Sequence, residues 1–296
     1  MKFTPQIGLA GHWGSGKTRA LCTVLLPDGT RPGKMILVDM EHGKADAQLQ
    51  IFDDIERIPM AAPADLYNII PALNGAEVFL VDNATRFQDL VVEAVKNQSS
   101  DWLLNLARTW GVQNSHVFNE ISRGLIKSDA NMWDVVNNLI LALVTTMRKN
   151  EIMGVYTFEL KNVWQNFGSR SRDEDEKMKI IGYTAKMLDG FHQSLDAVYE
   201  LMRPEGAPFL LTRPQKNRKN EDVGTAAIKN GLLPMDYFAN IHFKNWVVFW
   251  EKYNEGLDIA KKQGHAEMLG LPAPEVEIES EELDIEVPEI EETENS

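Results

Sequence analysis

The sequence predicts an α/β fold: a mostly parallel central sheet flanked by helices, followed by a disordered acidic C-terminal tail. Three observations carry that prediction. Met35-Ile36-Leu37-Val38 and Val78-Phe79-Leu80-Val81 are apolar throughout, and each run ends in an aspartate. Strands without polar alternation belong in a parallel sheet covered on both faces. A glycine-rich turn joins a first strand, Ile7-Gly8-Leu9-Ala10, to a helical stretch from about Lys17 to Leu26. Residues 275–296 hold ten Glu and one Asp with no Lys or Arg, and such a segment buries too little apolar surface to offset its ordering entropy.

Composition sets the outer bounds. The chain has 296 residues, 44% hydrophobic and 25% charged, with a formal charge of −14. The tail carries −11 of that charge, which leaves about −3 on the rest. The expected division is a globular domain over 1–270 and a tail over 271–296. No apolar run reaches the ~20 residues that span a bilayer, so no membrane association is expected. The segment Met1-Lys2-Phe3-Thr4-Pro5 leads into a strand and not into a signal-peptide core. Cys22 is the only cysteine, which excludes an internal disulfide framework and a Cys-rich zinc site. A reducing, cytoplasmic setting follows.

Along the chain, Pro27, Gly29, Pro32 and Gly33 mark the loop after the first helix. Residues 86–150 read as a helical insertion, with Met132 to Arg148 rich in Val, Leu and Met. Met153 to Phe158 reads as a further strand. Residues 162–182 are highly charged and read as a loop. Leu188, Phe191, Leu195 and Val198 stand at helical spacing, although Ala197 to Met202 also reads as a strand. That strand would pair with Phe209 to Thr212 across a Pro/Gly-rich turn. Trp246, Phe249, Trp250 and Tyr253 are helically spaced, as core or as a contact between subunits.

The motif that carries chemistry is Gly11-His12-Trp13-Gly14-Ser15-Gly16-Lys17-Thr18, of the form G-x-x-x-x-G-K-[ST]. Glycines let the backbone wrap a phosphate with its N–H groups inward. The following helix adds its positive end. Lys17 supplies a point charge for the β- and γ-phosphates, and the Thr18 hydroxyl ligates Mg²⁺. Arg19 follows at the rim of the nucleotide-binding run. Trp13 is expected to pack on the core rather than to stack on a base, and His12 and His42 to line the site. A P-loop NTPase also needs an apolar strand ending in Asp, to hold Mg²⁺. Both Asp39 and Asp82 meet that pattern, and spacing alone does not choose between them.

Asp39-Met40-Glu41-His42 resembles the segment after the second core strand of RecA-like ATPases, where an Asp-x-Glu-His run carries the glutamate that activates water. The resemblance implies a RecA-like P-loop NTPase fold over roughly residues 5–220. It makes Glu41 the water-orienting residue and assigns Asp82 to Mg²⁺, with ATP and Mg²⁺ as the bound groups and Lys17, Glu41 and Asp82 as the catalytic set. The strand-turn-strand near 197–213 and the following Gln215-Lys216-Asn217-Arg218-Lys219 resemble the family's late hairpin. That likeness implies a homo-oligomer in which Lys216 and Arg218 reach the ATP of a neighbouring subunit. The short chain resembles small RecA-like nucleotide-binding proteins of bacteriophages, some of which act in single-strand annealing recombination, in the host cytoplasm. One departure stands out: the fourth core strand ends in Phe158-Glu159, where the family commonly places Gln or His.

Direct signs of nucleic-acid binding are local. Arg170, Arg172, Lys177 and Lys179 lie among Trp164, Phe167 and Tyr183, a mixture suited to single-stranded DNA. Asp173 to Glu176 oppose phosphate in the same stretch, so a plain charged surface loop remains the alternative. In the family picture this stretch occupies the place of the DNA-contacting loop. The acidic tail serves equally as a competitor for a cationic groove, a binding element for a protein partner, or a solubilising segment. A packaging motor and a nucleotide-dependent assembly switch are the other function classes. No zincin spacing and no G-x-S-x-G elbow occur.

Overall fold

The computed structural model describes residues 4–41, 45–124, 129–166, 178–202, 210–214, 241–243 and 245–268. Its centre is an eight-stranded sheet. In chain order the strands are β1 (Gln6–Ala10), β2 (Met35–Asp39), β3 (Ile55–Pro59), β4 (Val78–Asp82), β5 (Met153–Phe158), β8 (Ala197–Met202), β9 (Leu210–Pro214) and β10 (Ile241–Phe243). Across the sheet the order is β10-β9-β8-β1-β5-β4-β2-β3. The six strands from β8 to β3 are parallel throughout. β9 and β10 add an antiparallel edge. The expected α/β class with a mostly parallel sheet is therefore present.

Period-two alternation divides the apolar residues between two layers. Ile36, Val38, Phe79, Val81, Tyr156 and Phe158 enter one core, whereas Met35, Leu37, Val78, Leu80, Met153 and Val155 enter the other. The first layer is closed by α4 (Ala84–Asn97), α5 (Ser100–Trp110), α6 (Ser115–Ser122), α7 (Asp129–Lys149) and α8 (Asp189–Ser194). The four helices α4 to α7 fill the stretch between β4 and β5 where a helical region was expected. The second layer is closed by α1 (Lys17–Cys22) and the long C-terminal helix α9 (Trp246–Met268). Two short helices, α2 (Asp46–Leu49) and α3 (Ile69–Ala72), flank β3. No helix among the described residues is long and apolar enough to cross a membrane.

Helix ends follow local chemistry. Asn83, Ser99 and Asn114 cap α4, α5 and α6 by accepting a backbone N–H from the first turn, each worth about 1 kcal/mol. α1 stops at Cys22, shorter than expected, because Thr23 turns the chain and Val24 N–H bonds back to Leu21. Trp246, Phe249, Trp250 and Tyr253 are buried against α1 and β1, which makes them core. Two indoles of α9 also bond to carbonyls at the end of the α1 segment. Trp246 Nε1 donates to Ala20 O at 2.7 Å, and Trp250 Nε1 donates to Leu25 O at 2.8 Å.

Two expectations are corrected by the backbone. The stretch 162–182 is not simply a loop. Its ends form β6 (Leu160–Asn166) and β7 (Met178–Ala185), which pair antiparallel from Leu160↔Ala185 to Asn166↔Met178 with an irregularity at Val163/Trp164. β-Branched and aromatic residues at both ends (Val163, Trp164, Ile180, Ile181, Tyr183) favour strand. The charged run between them dominated the reading from composition. The helix expected through Val198 ends at Ser194, and Val198 belongs to β8, the strand alternative. β8 pairs antiparallel with β9 as that alternative required. Lys216, Arg218, Arg170, Arg172, Lys177 and the tail 271–296 lie outside the described residues, and of Lys179 only the backbone, in β7, is described.

Cys22 is fully buried beside this core. Burial above all, with the charge of Asp82 adding to it, pushes its thiol up to about 12. The unfolded chain's thiol ionises near 9.0. Between those values the unfolded state holds fewer protons than the native state, so stability falls as pH rises, by about 1.4 kcal/mol per unit from this group. Urea midpoints should drop between pH 9 and 10, with a shallower drop in Cys22→Ala. A native-state thiol assay at pH 8 should register almost no reaction until denaturant is added. Rapid native labelling would refute the burial argument.

Candidate functional site

The site gathers at the carboxyl ends of β1, β2, β4 and β5, the side of a parallel sheet where crevices form. β1 runs into the loop Gly11–Gly16. Gly14 (φ 81°) and Gly16 (φ 88°) take left-handed backbone that other residues rarely adopt. At Gly11 a Cβ would collide with Ser15 Oγ and come within 2.9 Å of Leu201 O. These glycines allow the loop to curl back on itself, with Ser15 N–H donating to His12 O at 3.2 Å.

Lys17 opens α1. Its ammonium donates to Gly11 O at 2.7 Å and His12 O at 2.8 Å, which holds it across the loop. Thr18 follows, and its hydroxyl donates to Asp82 Oδ2 at 2.6 Å. That contact joins two segments 64 residues apart. Ser15 is buried, and its hydroxyl has no hydrogen-bond partner among the described residues. A buried hydroxyl without an acceptor is costly unless a ligand completes it. His12 and Arg19 are exposed. Trp13 is 91% exposed, which corrects the expectation that it packs on the core. The loop's tight inward curl leaves this bulky side chain no place except outside.

Geometry decides between the two strand-end aspartates. Asp39 accepts from Glu41 N–H at 2.9 Å and pairs with Arg57 at 2.5 Å, so its carboxylate is occupied in joining β2 to β3. Asp82 instead faces Thr18. It also accepts from the Thr157 hydroxyl at 2.7 Å. β5 lies between β1 and β4, with Leu9 opposite Thr157, which places this hydroxyl between the loop strand and the aspartate. Asp82 is not the cap of the following helix; Asn83 is. Burial lifts the Asp82 carboxyl above its ordinary 3.8, the hydroxyl bonds from Thr18 and Thr157 oppose the rise, and the charges of Glu41 and Asp39 add to it.

Glu41 sits beside this centre. Asn83 Nδ2 donates to Glu41 Oε1 at 3.2 Å and to Glu159 Oε1 at 3.0 Å. Arg86 Nε stands 3.8 Å from Glu41 and 3.7 Å from Glu159. Arg86 is half exposed, so these are weak pairings in energy. They nevertheless bring a second carboxylate, at the end of β5, next to Glu41. The first turns of α4 extend the network: Thr85 Oγ1 accepts from Glu159 N–H at 3.0 Å, and Thr85 and Gln88 both donate to Lys186 O, just beyond β7.

Three residues of this centre were not anticipated: Thr157, Asn83 and Arg86. Thr157 had a signal, as the hydroxyl near the end of the otherwise apolar Met153 to Phe158. Asn83 and Arg86 read only as a cap and a helix surface residue. The structure brings together Gly11, Ser15, Lys17, Thr18, Glu41 and Asp82 and leaves Trp13 and Arg19 pointing to solvent. In comparisons with known proteins, no family model and no curated protein matches the chain.

Proposed function

We propose that the protein is a Mg²⁺-dependent, RecA-like P-loop ATPase that acts on single-stranded DNA in phage-type recombination or replication. The observation that carries the ATPase part is the contact of Thr18 with Asp82, beside a lysine held across a glycine-curled loop. The orphaned Ser15 hydroxyl fits a phosphate group, and glycine at position 11 is what lets that hydroxyl pack so closely inside the loop. Thr18 and Asp82 are the residues that would hold Mg²⁺, which neutralises charge on the transferred phosphoryl group when bound.

Each side chain then has one task. The Lys17 ammonium exchanges loop carbonyls for phosphate oxygens and offsets their developing charge. Glu41 orients the attacking water, and Asn83 and Arg86 fix the direction of its carboxylate. Thr157 holds Asp82 in one rotamer. Most of the rate gain on this reading comes from positioning and electrostatics. The DNA part rests on the sequence resemblance and on the cation–aromatic mixture around β6 and β7.

The test is ATP turnover with and without single-stranded DNA, at two salt concentrations. DNA stimulation that weakens with salt is expected, as phosphate contacts require. Turnover indifferent to DNA would discard the recombination reading and leave an ATPase that works through a protein partner. Absence of Mg²⁺-dependent turnover under every condition would discard the enzyme itself.

A further inference from the structure

The helical layer between β4 and β5 holds a group of side chains that the proposed ATPase does not use. His116 and Glu120 of α6 are four residues apart and share one helix face, with His116 Nε2 3.2 Å from Glu120 Oε1. Asp134 of α7 completes the group. One potential ligand atom from each of the three lies within 4.8 Å of the other two.

A second observation is independent of that spacing. The Glu120 side chain is only 6% exposed, and its Oε2 is buried with no hydrogen-bond partner among the described residues. A carboxylate in that position is costly unless a cation or a donor meets its free oxygen. Asp134 is also held in place. It accepts from Asn138 Nδ2 at 3.1 Å, Asn138 Oδ1 accepts from Asn114 Nδ2 at 3.2 Å, and Asn114 accepts from His116 N–H at 3.0 Å. This relay of amides ties the carboxylate on α7 to the helix that carries the other two groups, the kind of outer support that orients metal ligands.

We propose that His116, Glu120 and Asp134 form a site for a first-row divalent transition metal, best suited to Zn²⁺, that fastens α6 to α7. One imidazole nitrogen and two carboxylate oxygens form an N/O set that Zn²⁺ accepts at about 2.0–2.2 Å, with water at the fourth position. Bonds of that length give a tetrahedral edge of about 3.4 Å, close to the observed separation of His116 Nε2 and Glu120 Oε1. Asp134 supplies the third ligand atom, within 4.8 Å of the other two. A cation bound through Glu120 Oε1 also offsets the charge of the carboxylate whose Oε2 is buried without a hydrogen-bond partner among the described residues.

Calorimetric titration of the full chain with Zn²⁺, in excess Mg²⁺ to occupy weaker carboxylate sites, tests the proposal. One saturable equivalent is expected, and it should disappear in His116→Ala and in Asp134→Asn and persist in His12→Ala. Saturating Zn²⁺ should raise Tm by about 2–4 °C in the parent chain and leave both variants unmoved. Co²⁺ should give a visible absorption band that His116→Ala abolishes. His116 is largely exposed, so its removal leaves the core packing in place, and circular dichroism checks this. Zn²⁺ binding that survives both substitutions, or no saturable equivalent at all, would overturn the site.

Discussion

Lys17→Ala should lower ATP turnover at least about 10²-fold, the cost of removing one preorganised charge from a transition state, while Tm shifts by no more than about 2 °C. The structural side of that expectation comes from where Lys17 now rests. Its ammonium bonds to the carbonyls of Gly11 and His12, and water can replace it there at little cost, as at other solvent-reached positions. The chemical side comes from its position across the loop, where the same ammonium is the group available to phosphate oxygens. Lys17→Arg should fail to rescue, since a planar fork does not substitute for a compact point charge in a tight loop. Parallel turnover and melting measurements separate the two effects. Turnover that persists in both variants would end the P-loop assignment.

Asp82→Asn should act in opposite directions on activity and on stability. Turnover with Mg²⁺ should fall about 10²-fold or more, because the charge facing Thr18 is gone. The nucleotide-free protein should nevertheless become more heat-stable at pH 7, by about 2–4 °C. The sign follows from burial. The Asp82 carboxyl is raised above 3.8 in the folded chain, chiefly by burial, so the native state holds more protons than the unfolded state just above that value. Stability therefore falls as pH rises through the window between the ordinary and the raised values, and the loss persists at neutral pH. Asparagine has no charge to bury, and its amide still meets the Thr18 and Thr157 hydroxyls. The gain should shrink as pH falls through the raised value, where the parent aspartate takes up its proton. A lower Tm for Asp82→Asn at pH 7, unchanged by pH, would show that the carboxylate is a structural asset.

The residues that were legible in the sequence are those whose surroundings are uniform. β2 and β4 are buried on both faces, so their apolar runs stand out whatever lies beside them. β3 was missed because Ile55-Glu56-Arg57-Ile58-Pro59 is an edge strand, half exposed and ending in proline. The β6–β7 pair was missed because charge density over 170–177 outweighed strand-forming residues at either end. In the site, the glycine spacing was enough to mark the tight loop between β1 and α1. The choice between Asp39 and Asp82 was not available from spacing, since it depends on Arg57 occupying one of them. Thr157, Asn83 and Arg86 owe their positions to strand order, which no local pattern encodes.

The bonds from α9 to the end of the α1 segment have a consequence for synthesis. α1 has six residues, too few to persist alone in water. Its hydrophobic side is covered by Trp246, Phe249, Trp250 and Tyr253, and the Ala20 carbonyl is met by an indole 226 positions later. A chain emerging from the ribosome thus displays the glycine-rich loop after β1 early and completes its support late. On the proposed function, a partly made copy would not grip nucleotide; competence would arrive only when the last helix docks, in the same step that buries the exposed apolar side of the first.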